Sequence, residues 1–356
     1  MRMIAIGLAA LSFATCAPAA APSAEPGRID WSIERDGTRA DGSTVMLSVR
    51  SHWGAGQTSM WADKRPIGEL QGLSASQLSG ASGPVRFAIL REAGRLDCSG
   101  SAGRLAGGGS CAFTADPGFS DFLAAKGIGR PSARESFTLA MSKVGRELVG
   151  AMEGLNYPRP SIDQLAAMGI HEVSPGFIRE LAGQGYRLKS ADELVNFKIH
   201  DVDVDYIRGL AAIGPQFHRF AADDLVAMRI HGVKPGYVQA MAAIGPAFAT
   251  LAADDLVSFA IHGARPEMVQ AFVRHGRMPL RAEDVTAMAI HGVSGSFIEE
   301  MAGLGYKGFT ADELVKLKIH GVTSEYARSL QANGMKQLDA DQLVRLKISG
   351  FQPDNR

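Results

Sequence analysis

Six histidines recur along the chain at almost constant spacing, and imidazole is both a common metal ligand and a side chain that titrates near neutral pH. They lie 29, 31, 31, 29 and 29 residues apart and are His171, His200, His231, His262, His291 and His320. A metal site requires several ligands about 2 Å from one ion, whereas packed helices lie about 8 to 10 Å apart. We therefore predict no metal and no other cofactor, but a structural role in which each imidazole donates to free carbonyl groups at its own helix end. A metal site and a pH-sensitive ligand surface are the alternatives.

Pairs of acidic residues recur in the same repeats, and paired carboxylates can serve catalysis or calcium binding. They are Asp192-Glu193, Asp223-Asp224, Asp254-Asp255 and Asp312-Glu313. Each pair falls in the first turn of a predicted helix, where acidic side chains interact favourably with the helix dipole. The chain also lacks the H-E-x-x-H, G-x-S-x-G and G-x-x-x-x-G-K motifs. We predict a protein that is not an enzyme, and an envelope enzyme with an unrecognised site is the alternative.

The first residues have the composition of an export signal. Arg2 precedes an apolar run from Ile4 to Phe13, and small residues and prolines follow, so residues 1–21 are predicted to be a secretory signal peptide. The segment ending at Cys16 also resembles a bacterial lipobox, which makes acylation of Cys16 an alternative to simple cleavage. No later stretch has the 18 or more apolar residues of a membrane span. The predicted location is periplasmic or secreted, or membrane-anchored through Cys16.

Cys98 and Cys111 are the other two cysteines, and thiols of an exported protein usually pair. They lie on two alternating segments that are joined by a glycine-rich run, 100–110, so an antiparallel register with Leu96 opposite Phe113 places the two cysteines opposite each other. We predict a disulfide between them.

The periodicity of the chain changes near residue 116. Residues 28–115 have apolar residues at every second position, as in Ile29, Trp31 and Ile33, which is typical of antiparallel strands. Residues 116–351 follow a 29–31-residue repeat in which two short helices alternate. The predicted fold is α+β, mainly α: a small β domain followed by an α-solenoid of about eight two-helix repeats.

Apolar columns mark the core of the predicted first helices. Leucine or valine recurs in one column and methionine, phenylalanine or leucine in the next, and an unbroken isoleucine column from Ile170 to Ile348 precedes the histidines. We expect all three columns to be buried. A lysine or arginine precedes the isoleucine in four repeats and is expected to form a solvated stripe. Glycine follows the histidine in four repeats and follows Ser349, at the equivalent position, in a fifth. Glu172 and Asp201 replace it in two repeats, where a slightly different turn is expected.

The exposed positions of the second helices vary between repeats, which favours them as a surface for a protein or peptide partner. They are Arg179, Arg208, Gln239, Gln270, Glu299 and Arg328. The 37 basic and 37 acidic residues cancel, so the phosphate backbone of nucleic acid is not an expected partner.

The repeats ADELVNFKIHDVDVDYIRGLAAIG after Ser190 and ADELVKLKIHGVTSEYARSLQANG after Thr310 resemble an uncharacterised bacterial helical repeat, SADDLVxLKIHGVTPEYIRELRALGY. That repeat occurs in exported proteins and in the extracytoplasmic tails of some BlaR-type membrane metallopeptidases. The resemblance covers roughly residues 116–350, and the peptidase itself is absent from this chain. It implies a non-enzymatic sensing or interaction module of the cell envelope.

Overall fold

The computed structural model describes residues 26–35, 44–53, 57–104 and 106–352. The chain forms two compact units, Met1–Gly145 and Arg146–Arg356. The predicted signal peptide, 1–21, and Cys16 lie outside the described residues. The change from strand to helix falls where the sequence places it, but the first compact unit also includes the first two helices.

Six described strands form one antiparallel sheet in the first unit, in the order β3-β2-β1-β6-β5-β4. They are β1 (Pro26–Arg35), β2 (Thr44–Trp53), β3 (Gln57–Pro66), β4 (Gly83–Arg91), β5 (Gly94–Ala102) and β6 (Ala106–Ala115). The predicted alternation is confirmed, because Ile29, Trp31 and Ile33 are buried on one face while their neighbours are not. This face forms the core of the first unit.

The predicted disulfide is confirmed. Cys98 on β5 pairs with Cys111 on β6, and Leu96 lies opposite Phe113 in the same ladder. The glycine-rich run does not form a long loop, since most of it extends the two strands. A Cβ atom on Gly109 would lie 2.1 Å from the Ser99 carbonyl oxygen, so glycine allows the strands to approach closely there.

Two helices of the first unit follow the sheet, α1 (Pro117–Ala125) and α2 (Ala133–Met141). Helix α2 packs against β5 and β6. Its Phe137 is fully buried and makes edge-on ring contacts with Trp53 and Phe113, at centroid distances of 5.5 and 5.4 Å. This helix therefore completes the core of the sheet.

The second unit consists of short helices of eight to ten residues. They are α3 (Arg146–Gly154), α4 (Ile162–Ile170), α5 (Pro175–Gly183), α6 (Ala191–Ile199), α7 (Val204–Ala211), α8 (Ala222–Ile230), α9 (Pro235–Ala242), α10 (Ala253–His262), α11 (Pro266–His275), α12 (Ala282–Ile290), α13 (Gly295–Gly303), α14 (Ala311–Ile319), α15 (Ser324–Ala332) and α16 (Ala340–Ile348). Each even-numbered helix packs on the next even-numbered one, and each odd-numbered helix on the next odd-numbered one. Two parallel rows of helices result, as the repeat prediction requires.

Capping residues set where these helices begin. The side chains of Ser174, Asp203, Ser294 and Thr323 accept a hydrogen bond from the backbone N–H three residues later. At Thr310 a complete capping box forms, in which the Thr310 side chain accepts from the Glu313 backbone N–H and the Glu313 side chain accepts from the Thr310 backbone N–H. At Ser190 only half of it forms, because the carboxylate of Glu193 accepts from the backbone N–H of Lys189 instead.

Candidate interaction surface

A backbone-bonded turn follows each even-numbered helix of the second unit, and it contains the repeated histidine in every case except after α16, where Ser349 takes its place. After α4, the N–H of Glu172 donates to the Gly169 carbonyl at 3.2 Å, and the N–H of Val173 donates to the Met168 carbonyl at 2.8 Å. These two bonds define a Schellman motif, and they recur in the six turns that follow. The residue two positions after the histidine is buried in all six turns that contain one. The I-H-G-V signature thus specifies the turn that connects the two helices of a repeat.

The backbone bonds of the turn leave the imidazoles without the role predicted from sequence. Helix-end carbonyls already accept from backbone N–H groups, and the repeated imidazoles form no hydrogen bond within the described part of the chain. His200 is half-buried and the other five are exposed. The histidine column is therefore an accessible row of side chains, and not a set of helix-end donors.

The residue after the histidine, or after Ser349 in the last turn, adopts the left-handed conformation in every repeat. The five glycines have φ between 68° and 74°, and Glu172 and Asp201 have φ of 56° and 54°. The expectation of a different turn at Glu172 and Asp201 is wrong, since the Schellman bonds impose one backbone shape on all seven turns. Both non-glycine residues carry the conformational cost that glycine avoids.

The isoleucine column is exposed, so its assignment to the core is wrong. The seven side chains, which we call the isoleucine ladder, have exposed fractions of 48–64% and are Ile170, Ile199, Ile230, Ile261, Ile290, Ile319 and Ile348. The helical period explains the difference, because a residue two positions after Met168 or its equivalents points to the opposite side of the helix. Neighbouring members stand on packed helices about 8 to 10 Å apart. A regular row of exposed apolar side chains on adjacent helices makes this surface a candidate interaction site.

The paired acidic residues lie in the first turns of their helices, as predicted. The second member of each pair accepts a backbone N–H at or next to the start of its own helix. Within the described residues, no three His, Cys, Asp or Glu side chains stand close enough to hold a metal ion.

Four cations of the even-numbered helices cover aromatic rings of the preceding repeat, which differs from the solvated stripe expected from sequence. The pairs are Lys198 with Phe177, Arg229 with Tyr206, Lys318 with Phe297 and Lys347 with Tyr326, at 4.5–5.3 Å from cation to ring centroid. All four cations are half-buried and all four rings are buried. Such contacts contribute about 0.5 to 2 kcal/mol each. They form a column that links successive repeats.

Tyrosine hydroxyls add hydrogen bonds across the same junctions. Tyr206 donates to the Val233 carbonyl at 3.0 Å, and Tyr237 donates to the Ala264 carbonyl at 2.9 Å. Burial raises the pKa of each tyrosine to about 12, although the charge of Arg229 opposes this at Tyr206. Both hydroxyls therefore stay protonated at neutral pH and hold the rings in place.

The six residues predicted as a binding surface are all exposed. Three of them form ion pairs: Arg179 with Glu147, Arg208 with Asp205, and Glu299 with Arg274. Gln270 and Glu299 line a groove of about 560 Å³ between α11 and α13. We call these six residues the second-helix surface. Unlike the isoleucine ladder, the second-helix surface is polar, and the ion pairs neutralise part of its charge.

No protein-family model, curated protein or solved structure matches this chain. In the described ranges, no helix is long and apolar enough to cross a bilayer. Function must therefore be inferred from the repeat surface itself.

Proposed function

We propose that this protein is a non-enzymatic interaction scaffold or sensor module of the bacterial cell envelope, which binds a protein or peptide partner through its helical-repeat surface. The observation that carries the proposal is the isoleucine ladder, exposed at the same position in seven consecutive repeats. A buried core column would be explained by folding alone. Exposed side chains of this size make no comparable contribution to folding, so binding is the better explanation for their presence.

The energetics favour a partner that contacts several repeats at once. Complete burial of an isoleucine side chain contributes about 1.5–3 kcal/mol, and the ladder members are already about half covered, so each would add roughly 1 kcal/mol. Association costs about 4–15 kcal/mol in lost freedom of motion. One member therefore cannot hold a partner, whereas four or more with flanking polar contacts can. An elongated apolar segment of a protein fits this requirement.

Two observations support the envelope as the place of action. The Cys98–Cys111 disulfide is typical of oxidising compartments. The resemblance of the repeats to those of exported bacterial proteins, together with the signal-like start, agrees with export and leaves open a lipid anchor at Cys16. The regular stacking of repeats also agrees with the extended binding surfaces of solenoid proteins.

A pull-down from envelope extract tests this function. The bait is the wild-type protein beside a triple variant, Ile230→Ser, Ile261→Ser and Ile290→Ser, with Arg208→Ser, Gln239→Ser and Gln270→Ser as the matched control on the second-helix surface. We expect one identified protein to be recovered by the wild type and control, to be lost with the ladder variant, and to rebind after purification. Equal recovery by all three baits, or substrate conversion by the isolated protein, contradicts the proposal.

A further inference from the structure

Among the described repeats of the second unit, Tyr237 is an aromatic ring that lacks the cation that covers the equivalent rings at Phe177, Tyr206, Phe297 and Tyr326. The four covered rings are 6–9% exposed, whereas Tyr237 in the same column is only half-buried. Ala260 stands at the position where Lys198, Arg229 and Lys318 stand in three other repeats. An open pocket of about 490 Å³ is left beside the Tyr237 ring. Ala260 immediately precedes Ile261, so the pocket borders the isoleucine ladder.

Cations surround this pocket instead of filling it. Lys234 and Arg265 immediately precede α9 and α11, at the N-cap positions where other repeats have serine, threonine or aspartate, and neither side chain caps its helix. Both are exposed, as is His231. The pocket is lined by Tyr237, Phe259 and Ala260 together with His231, Lys234 and Arg265, and none of its lining residues is acidic. Its apolar floor and basic rim are therefore matched to an amphiphilic anion.

We infer that this pocket binds a carboxylate-bearing side chain of the partner, such as glutamate within an apolar segment. The methylene stem would cover the exposed face of the Tyr237 ring, and the carboxylate would accept hydrogen bonds from Lys234 and Arg265 at the rim. Carboxylates form short, strong hydrogen bonds with lysine and arginine. The Tyr237 hydroxyl already donates a hydrogen bond to the Ala264 carbonyl, and this bond fixes the ring as the wall of the pocket.

A cationic ligand over Tyr237 would take the place of the lysine or arginine that covers the equivalent ring in four other repeats, but it does not suit this pocket. Arg229 covers Tyr206 where Asp203 begins the helix and Asp201 lies 3.8 Å from the guanidinium. At Tyr237 the corresponding position is Lys234, so a second cation would meet like charge. This junction has no cation over its aromatic ring but has two cations at the rim of its pocket, so an anionic ligand is favoured.

This inference rests on the proposed function, since it specifies the chemistry of one contact with the partner. Its test uses the full-length protein and three probes, acetyl-Leu-Glu-Leu-amide and its Gln and Lys counterparts, titrated while the NMR amide signals of Gly232, Gly236 and Tyr237 are followed. The Glu peptide is expected to shift these signals in a saturable way, and the Gln and Lys peptides to bind at least about tenfold more weakly.

Two variants separate the apolar floor of the pocket from its basic rim. Ala260→Leu adds no charge and should cover the exposed face of the Tyr237 ring with an apolar side chain, so it should abolish binding of the Glu peptide. Lys234→Ser with Arg265→Ser should retain the fold and weaken binding about tenfold or more. Failure of the Glu peptide to bind, tighter binding of the Lys peptide, or unchanged binding by Ala260→Leu overturns the inference. If capture of the partner still depends on the ladder, the proposed function stands while this contact does not.

Discussion

Substitutions three residues apart distinguish an exposed ladder from a buried core. Ile290 is 54% exposed and Val293 is 4% exposed, and both lie at the same helix end. Val293→Ala removes two buried carbon groups, worth about 0.8 kcal/mol each, and leaves a cavity, so we expect a loss of about 2 kcal/mol or more in the free energy of unfolding. Ile290→Ala removes three groups that are about half covered, which would cost about 1.2 kcal/mol, but alanine has the higher helix propensity by a few tenths of a kcal/mol. The expected net loss is below about 1 kcal/mol, although isoleucine is the larger side chain.

Urea unfolding followed by far-ultraviolet circular dichroism measures the difference. In both variants the free energy of unfolding should depend on urea concentration with the wild-type slope, so that the shift in the urea midpoint reports the change in stability. Ile319→Ala and Val322→Ala form an independent pair in the next repeat, with exposed fractions of 56% and 1%. If the isoleucine variants lose as much stability as the valine variants in both repeats, the ladder belongs to the core and the reasoning fails.

Three further outcomes follow from the described contacts. His231→Ala should change the free energy of unfolding by less than about 0.5 kcal/mol in thermal melts, because its imidazole makes no hydrogen bond; a loss above 1 kcal/mol would restore the helix-end role. Lys234→Ser and Arg265→Ser should each raise stability by about 0.5–1 kcal/mol, because a serine hydroxyl at the N-cap can accept a hydrogen bond from the backbone N–H three residues later, which lysine and arginine cannot do. A decrease in the melting temperature would contradict this prediction. Burial raises the pKa of Glu69, but its hydrogen bonds and ion pairs with Arg91 and Arg65 outweigh this and hold the pKa below its ordinary value. The stability that Glu69 contributes is thus present above its ordinary pKa and lost as the pH falls through the lowered one, and Glu69→Gln should remove this part of the pH dependence of unfolding between pH 6 and 3.

Periodicity and the acidic pairs predicted most of the fold. Alternating apolar residues located strands β1, β2 and β4, and the cysteine spacing gave the register of β5 and β6. Strand β3 was missed because its sequence, QTSMWADKRP, has no alternating apolar pattern and its pairing with β2 is a tertiary contact. The acidic pairs indicated the first turns of four helices, because acidic side chains interact favourably with the helix dipole there.

The candidate surface was harder to predict, because a repeated residue is ambiguous. The constancy of the isoleucine column suggested a core, and only the helical angle relative to Met168 separates it from the buried columns. The histidines suggested helix-end donors, but the backbone turn already satisfies the carbonyls. The coverage of Phe177 by Lys198 joins residues of different repeats, so no local sequence pattern indicates it.

The most direct test of the central claim is methyl NMR of the isoleucine side chains during titration with the partner recovered in the pull-down. The buried Ile178, Ile207 and Ile298 serve as internal controls, since they lie within the same repeats. We expect the methyl signals of several consecutive ladder residues to shift together at one affinity while the three buried signals stay in place. Ladder signals that do not change while the partner binds would contradict the account.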